Sequence, residues 1–356
     1  ETPAREQVSS PAVPLPSTSA PSGSTLLPPM EPPLENETEF AVHPQMYLGK
    51  DGERLLCMVK ATFELTPGDS EPTLAPEERM RPLRFADFPW GKPDESSILY
   101  PSDLCLRKPA TDVVIIATAH APNGKAVPSF DTFARVGPVQ KVVRVFGLRL
   151  WESRGAGLTP PRPVESVELR YDNAWGGSDD SDPARFVEEP RNPVGKGVVS
   201  DPAQLTHQIA PCLEDPDHLI RSASTRPPPA GFGAIGRHWV PRRNYIGTYD
   251  DAWKQLRCPL PPLDEDDRIN QCASPGLIAD PPLRGGEDCA FLNMHPSGPF
   301  TFRLPRVRLQ IEFQVQGRAP EVFEPYVDTV FVDLWETSPD KPPAVELVWR
   351  ASVRAP

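Results

Sequence analysis

The chain has 356 residues, a formal net charge of −12 and 49 prolines, against a usual proline share of about 5%, so long uninterrupted helices are excluded and strands joined by ordered loops are expected. An acidic balance opposes binding to nucleic-acid phosphates or anionic bilayers. No apolar run approaches the roughly 18 to 20 residues that cross a membrane, and no signal-peptide h-region is visible, so a soluble, cytoplasmic protein without membrane insertion is expected.

In chain order, residues 1–38 are rich in Pro, Ser and Thr with few large apolar groups, the composition of a flexible or semi-extended leader. Residues 39–356 are expected to form a single β-rich domain. The runs ERLLCMVKATFEL (53–65), TDVVIIATAHA (111–121) and KVVRVFG (141–147) are rich in β-branched residues, and APNGK (121–125) holds an Asn-Gly turn signal. FDTFARV (130–136) alternates as a half-buried strand should, and VESVELRY (164–171) resumes the pattern. The first half therefore reads as antiparallel β.

Between about 172 and 290 the periodicity fades, yet Trp175, Phe186, Phe232, Trp239, Tyr245, Tyr249, Trp253 and Phe291 are distributed through it or lie at its end. Disordered segments are poor in aromatics, so an ordered excursion docking these rings onto the sheets is expected, with DDAWKQLR (250–257) its one short helix. Strands return at FTFRLPRVRLQIEFQVQG (300–317), VDTVFVDLWE (327–336) and AVELVWRASV (344–353). The predicted fold is mainly β, antiparallel sheets in a sandwich or barrel-like arrangement, with long ordered loops and little helix.

GFGAIG (231–236) fits the glycine pattern that opens dinucleotide-binding helices. Three prolines upstream bar a buried strand, and Pro241 bars a helix downstream, so no cofactor is expected. Gly231, Gly233 and Gly236 then read as residues supplying positive φ in a tight surface turn. The next residues set Arg237, His238, Arg242 and Arg243 around Trp239, a combination enriched at protein interfaces. They are candidate partner-binding residues, with intramolecular stacking of arginine on the indole as the alternative.

Trp175, Gly176 and Gly177 in DNAWGG, with Asn192 and Pro193 in RNPVGKG, are expected to be scaffold turns around a buried indole. No short hydrolase or metalloprotease motif is present, so no catalytic residue is assigned. His295, near Asp288 and Ser297, reads as part of a capped turn, and the His218 cluster with Asp215 and Asp217 lacks the frame of a calcium loop, so no metal ligand is assigned. DEDD (264–267) reads as a solvated turn. Six cysteines without a C-x-x-C pair read as reduced, mostly buried thiols.

KATFEL (60–65), YPSDLCLRKP (100–109), VGPVQKVVRVFG, ELRYDNAWGG (168–177), RNPVGKG (191–197), the stretch from RPPPAGFGAIG to DDAW, QCA (271–273), LNMHPSGPFTFRLP and ELVWRAS resemble, in the same order, the domain of unknown function family numbered 2169. The resemblance runs from about 40 to 353. It implies an accessory protein of bacterial type VI secretion systems: a non-enzymatic adaptor or chaperone that helps load a toxin effector onto the VgrG/PAAR spike. After QCA the chain continues with SPGLIAD, where members commonly carry an acidic string. A hydrolase using His295 or the His218 cluster, and a structural part of the injection apparatus, are the alternatives.

Overall fold

The computed structural model describes residues 34–68 and 71–355; the expected leader, up to residue 33, lies outside the described residues. The fold is mainly β. β1 (Ala41–Gly49) and β2 (Gly52–Glu64) form a hairpin, and β3 (Thr111–His120) follows after an irregular covering segment. β4 (Ser129–Val136) and β5 (Val139–Phe146) form a second hairpin, and the short β6 (Leu213–Glu214) and β7 (Ile278–Ala279) follow. β8 (Asp288–Leu292), β9 (Phe300–Arg303), β10 (Thr329–Leu334) and β11 (Ala344–Arg354) complete two open main sheets. Their orders are β1-β2-β11-β10-β3-β7 and β6-β5-β4-β8-β9, so neither closes into a barrel.

The strand pairings are antiparallel except between β10 and β3 in these sheets. β3 reads as a continuous apolar run because nearly every residue from Thr111 to Ala119 is buried, the pattern of a strand covered on both faces. On β2 the faces divide. Val59, Ala61 and Phe63 enter the core shared with Val143, Val145, Phe291 and Phe302 of the second sheet. Leu56, Met58, Lys60 and Thr62 face the other way, where Leu56 and Met58 meet Leu83.

That second face carries buried charge. The Lys60 ammonium pairs with Asp103 and, at 3.1 Å, with Glu346 on β11; Arg81 reaches Glu346 at 3.0 Å and Asp333 at 2.7 Å, and Arg84 reaches Glu346 at 2.5 Å. Burial pushes the Glu346 carboxyl up, but Lys60, Arg84 and Arg81 overcome it and hold the group at about 2. These ion pairs lock the irregular 79–108 segment onto the sheet.

The expected strands sit close to their predicted places, with informative departures. β1 is an edge strand that carries Pro44 within it, so its pattern is weak. VESVELRY contributes only Ser166–Glu168, and the 300–317 run breaks at Pro305 into β9 and Ile311–Phe313. Asn123 and Gly124 adopt left-handed backbone, as an Asn-Gly turn requires. The strands flanking that turn belong to different sheets, so it links layers rather than closing a hairpin. One α-helix occurs among the described residues, α1 (Asp251–Leu256), capped by the Asp250 carboxylate accepting from Trp253 N at 2.8 Å. Of the excursion's aromatics, Phe186 and Tyr249 are exposed rather than docked on the sheets.

Candidate functional site

A groove of about 750 Å³ opens between the β4–β5 hairpin, the 215–217 turn and the 228–241 loop. Pro228, Pro229, Pro241 and Pro275 wall it together with Ile235 and Val142. The proline walls are inert toward hydrogen bonding from their own nitrogens.

One side of the groove rests on a hydrogen-bonded hub. Lys141 Nζ on β5 donates to Ser274 Oγ at 2.5 Å and to the Pro275 carbonyl at 3.0 Å. Ser274 Oγ lies 2.7 Å from Tyr171 Oη and donates to the Gly231 carbonyl at 2.8 Å. Burial lowers the Lys141 amine to about 8 against the opposing pull of Asp215, and burial raises the Tyr171 phenol to about 12. A serine beside a low-pKa lysine is a nucleophile–base pair in outline. Here the Ser274 hydroxyl is fully buried and spent on three neighbours, so the arrangement ties β5, Tyr171 and the 231 loop together.

The glycine loop is an inside loop, which corrects the expected surface turn. Residues 230–236 are all buried, and Phe232 O accepts from Ile115 N of β3 at 3.1 Å. The otherwise open edge of β3 is capped in series by β7, Leu277, Phe232 and the 166–169 stretch. Gly231, Gly233 and Gly236 do not adopt positive φ. Gly231 is required by close approach instead, since a Cβ there would lie 2.9 Å from the Tyr171 ring, and at Gly236 one would lie 2.7 Å from the Trp239 indole. A Cβ at Gly233 would meet nothing nearer than 4.0 Å.

The Arg–Trp cluster is likewise taken apart. Trp239 is buried and meets Tyr171 edge-on at 5.7 Å, and Arg242 is buried with its guanidinium donating to Ile235 O at 2.7 Å and Ile269 O at 3.0 Å. Neither is displayed for a partner in this conformation, because a buried guanidinium must satisfy its donors internally. Arg237, His238 and Arg243 are exposed, with Arg237 3.9 Å from Glu265 and Arg243 3.9 Å from Glu188.

Trp175 lies inside a small cluster with Trp151, Leu205, Ala210 and Ile220. Gly176 and Gly177 have φ of 153° and 104°. Asn192 Nδ2 donates to Tyr171 O and Trp175 O, and Pro193 follows it in the turn. His218 Nδ1 lies 3.2 Å from Asp215 at the rim, its side chain largely exposed. His295 Nδ1 lies 2.7 Å from Ser297 Oγ, whereas Asp288 pairs with Arg303. The cysteines are free thiols, four buried, Cys212 half-buried and Cys258 exposed. No His, Cys, Asp and Glu group able to hold a metal occurs among the described residues.

Lys141 and Ser274 escaped the reading of the sequence. Both sit at the borders of motifs already noticed, Lys141 opening KVVRVFG and Ser274 following QCA. A cation at an inward position of an alternating strand was the available signal.

Fold and groove together define a layered, mainly β scaffold with an open cleft between a hairpin and a proline-rich loop. The chain belongs to the family described as "Uncharacterized protein conserved in bacteria (DUF2169)", which matches residues 50–350. No curated protein and no solved structure matches it.

Proposed function

We propose that this protein is a non-enzymatic adaptor or chaperone of a bacterial type VI secretion system, acting in the cytoplasm to load a toxin effector onto the VgrG/PAAR spike. The groove carries the reading. It is open, walled by prolines and aliphatic side chains, and braced by the Lys141–Ser274–Tyr171 hub, so it offers a preformed surface that loses little entropy when a polypeptide docks. The ordered motif string that resembles the secretion-linked family supplies the partner class.

The test is capture from the native bacterium. Tagged protein should retain an effector together with a VgrG or PAAR protein, and deletion of the gene should stop export of that effector while other effectors still leave the cell. A wild-type chain that retains neither, with export unaffected by deletion, defeats the reading.

A further inference from the structure

The groove is bounded by an unfinished sheet edge. In the β4–β5 hairpin, Val136 pairs with Val139 across a two-residue loop, so odd-numbered residues of β5 turn their backbone groups toward β4 and even-numbered residues turn them outward. Two bonds agree: Phe146 N donates outward to Cys212 O, and Gly147 N donates inward to Pro128 O. β6 occupies the outer edge only at Val145 and Arg144. Beyond Glu214 the chain leaves through Asp215, whose carboxylate accepts from Asp217 N, and Pro216, which has no N–H to continue the ladder. Gln140 and Val142, both exposed, are therefore left with outward N–H and C=O groups that no described residue meets.

The same edge carries a cation without a carboxylate partner. Lys141 Nζ makes two of the three hydrogen bonds an ammonium can donate, both to neutral oxygens, and no carboxylate among the described residues comes within ion-pair distance. Asp215 and Asp217 line the same groove and repel an incoming acid, so a partner's carboxylate is favoured there only where it meets the Lys141 ammonium.

We infer that β5 accepts an extended segment of a partner protein as an added strand, paired through Gln140 and Val142, with an Asp or Glu side chain of that segment opposite Lys141. Addition of a strand satisfies the two outward donors and two outward acceptors at once, and side chains alternate between the groove and solvent. The residue facing Lys141 lies in a non-hydrogen-bonded pair, where side chains approach closest. This inference rests on the adaptor reading for the identity of the partner, not for the existence of the site.

The probe is a decapeptide library displayed on phage and selected on the full chain, followed by synthesis of the enriched sequences. Enriched peptides should carry an acid flanked by alternating apolar residues. Peptide should slow amide exchange at Gln140 and Val142. Val142→Pro removes the outward donor and none of the ladder bonds to β4, so it should weaken binding at least tenfold, and circular dichroism checks that it still folds. N-methylation of the peptide residue that pairs with Val142 should weaken binding equally while leaving the protein intact. Lys141→Gln should weaken the acidic peptide about tenfold more than its amide counterpart. Absence of enrichment, equal binding by Val142→Pro and by the methylated peptide, or no protection at Gln140 and Val142 overturns the strand. If wild type and Val142→Pro retain the same effector from cells, the strand fails while the adaptor reading stands. If the peptides bind as described and no effector or spike protein is ever retained, the adaptor reading fails and the strand stands.

Discussion

Arg242 and Arg243 are neighbours in sequence and opposites in environment. Arg242 satisfies two loop carbonyls from inside the protein, so Arg242→Ala leaves Ile235 O and Ile269 O without their donor and should lower stability by about 2 to 4 kcal/mol. Arg243 is exposed and only loosely associated with Glu188, so Arg243→Ala should stay within about 0.5 kcal/mol. Equal denaturation midpoints for the two variants would contradict this assignment. Trp175→Ala empties a buried aromatic site and should cost about 3 to 5 kcal/mol in the same measurement. Gly236→Ala places a methyl against the Trp239 indole, and overpacking of that kind costs roughly 1 to 3 kcal/mol.

At the scale of elements, the decisive feature is the insertion of β10 and β11 between β2 and β3. The last strand thereby contributes to the centre of the sheet, pairing with β2 along eleven residues from Arg54↔Arg354 to Glu64↔Ala344. A chain truncated before Ala344 should show no cooperative thermal transition by circular dichroism, although it keeps every residue of the groove. A sigmoidal melt close to that of the full chain would show that β11 is dispensable. Lys60 on β2 tests the same layer: Lys60→Met leaves the buried Asp103 carboxylate without its ammonium, while Glu346 keeps Arg81 and Arg84, and should cost about 3 to 5 kcal/mol.

Over the whole molecule, buried acids with raised pKa set the alkaline limit. Burial raises the Cys57 thiol to about 11 and the Cys272 thiol to about 12, and the Tyr100 and Tyr171 phenols to about 12. Each stays neutral in the fold while its unfolded counterpart ionises, so the stability these groups contribute is complete below about pH 9 and is lost as pH rises toward 12. Lys141 acts oppositely between about 8 and its unfolded value, since there the unfolded chain binds the extra proton. Four acids outweigh one base. The thermal midpoint should therefore fall steadily above pH 9, and Cys57→Ala with Cys272→Ala should flatten that fall. On the acid side, Glu346 contributes stability above its unfolded value that is lost as pH drops toward about 2.

The fold class is legible in the sequence, because strand formation is written in local alternation and β-branched runs, and proline excludes the helical alternatives. α1 was equally legible, since a capping Asp250 and six uninterrupted helix-compatible residues are local facts. Glycines 176 and 177 carried their meaning locally too, through backbone conformations few other residues adopt. What proximity in sequence cannot express is which strand lies beside which, so the central place of β11, the parallel β10–β3 pair and the capping of β3 by the 231 loop were decided by tertiary packing. The same limit governed the site. Whether an arginine or a tryptophan faces solvent depends on carbonyls and rings supplied from far along the chain, so RHWVPRR resembled a display surface while the fold turned Trp239 and Arg242 inward. Lys141 and Ser274 stand 133 residues apart and meet only when the sheets stack, which is why composition and motif foretold a β scaffold but only the packed structure brought the groove together.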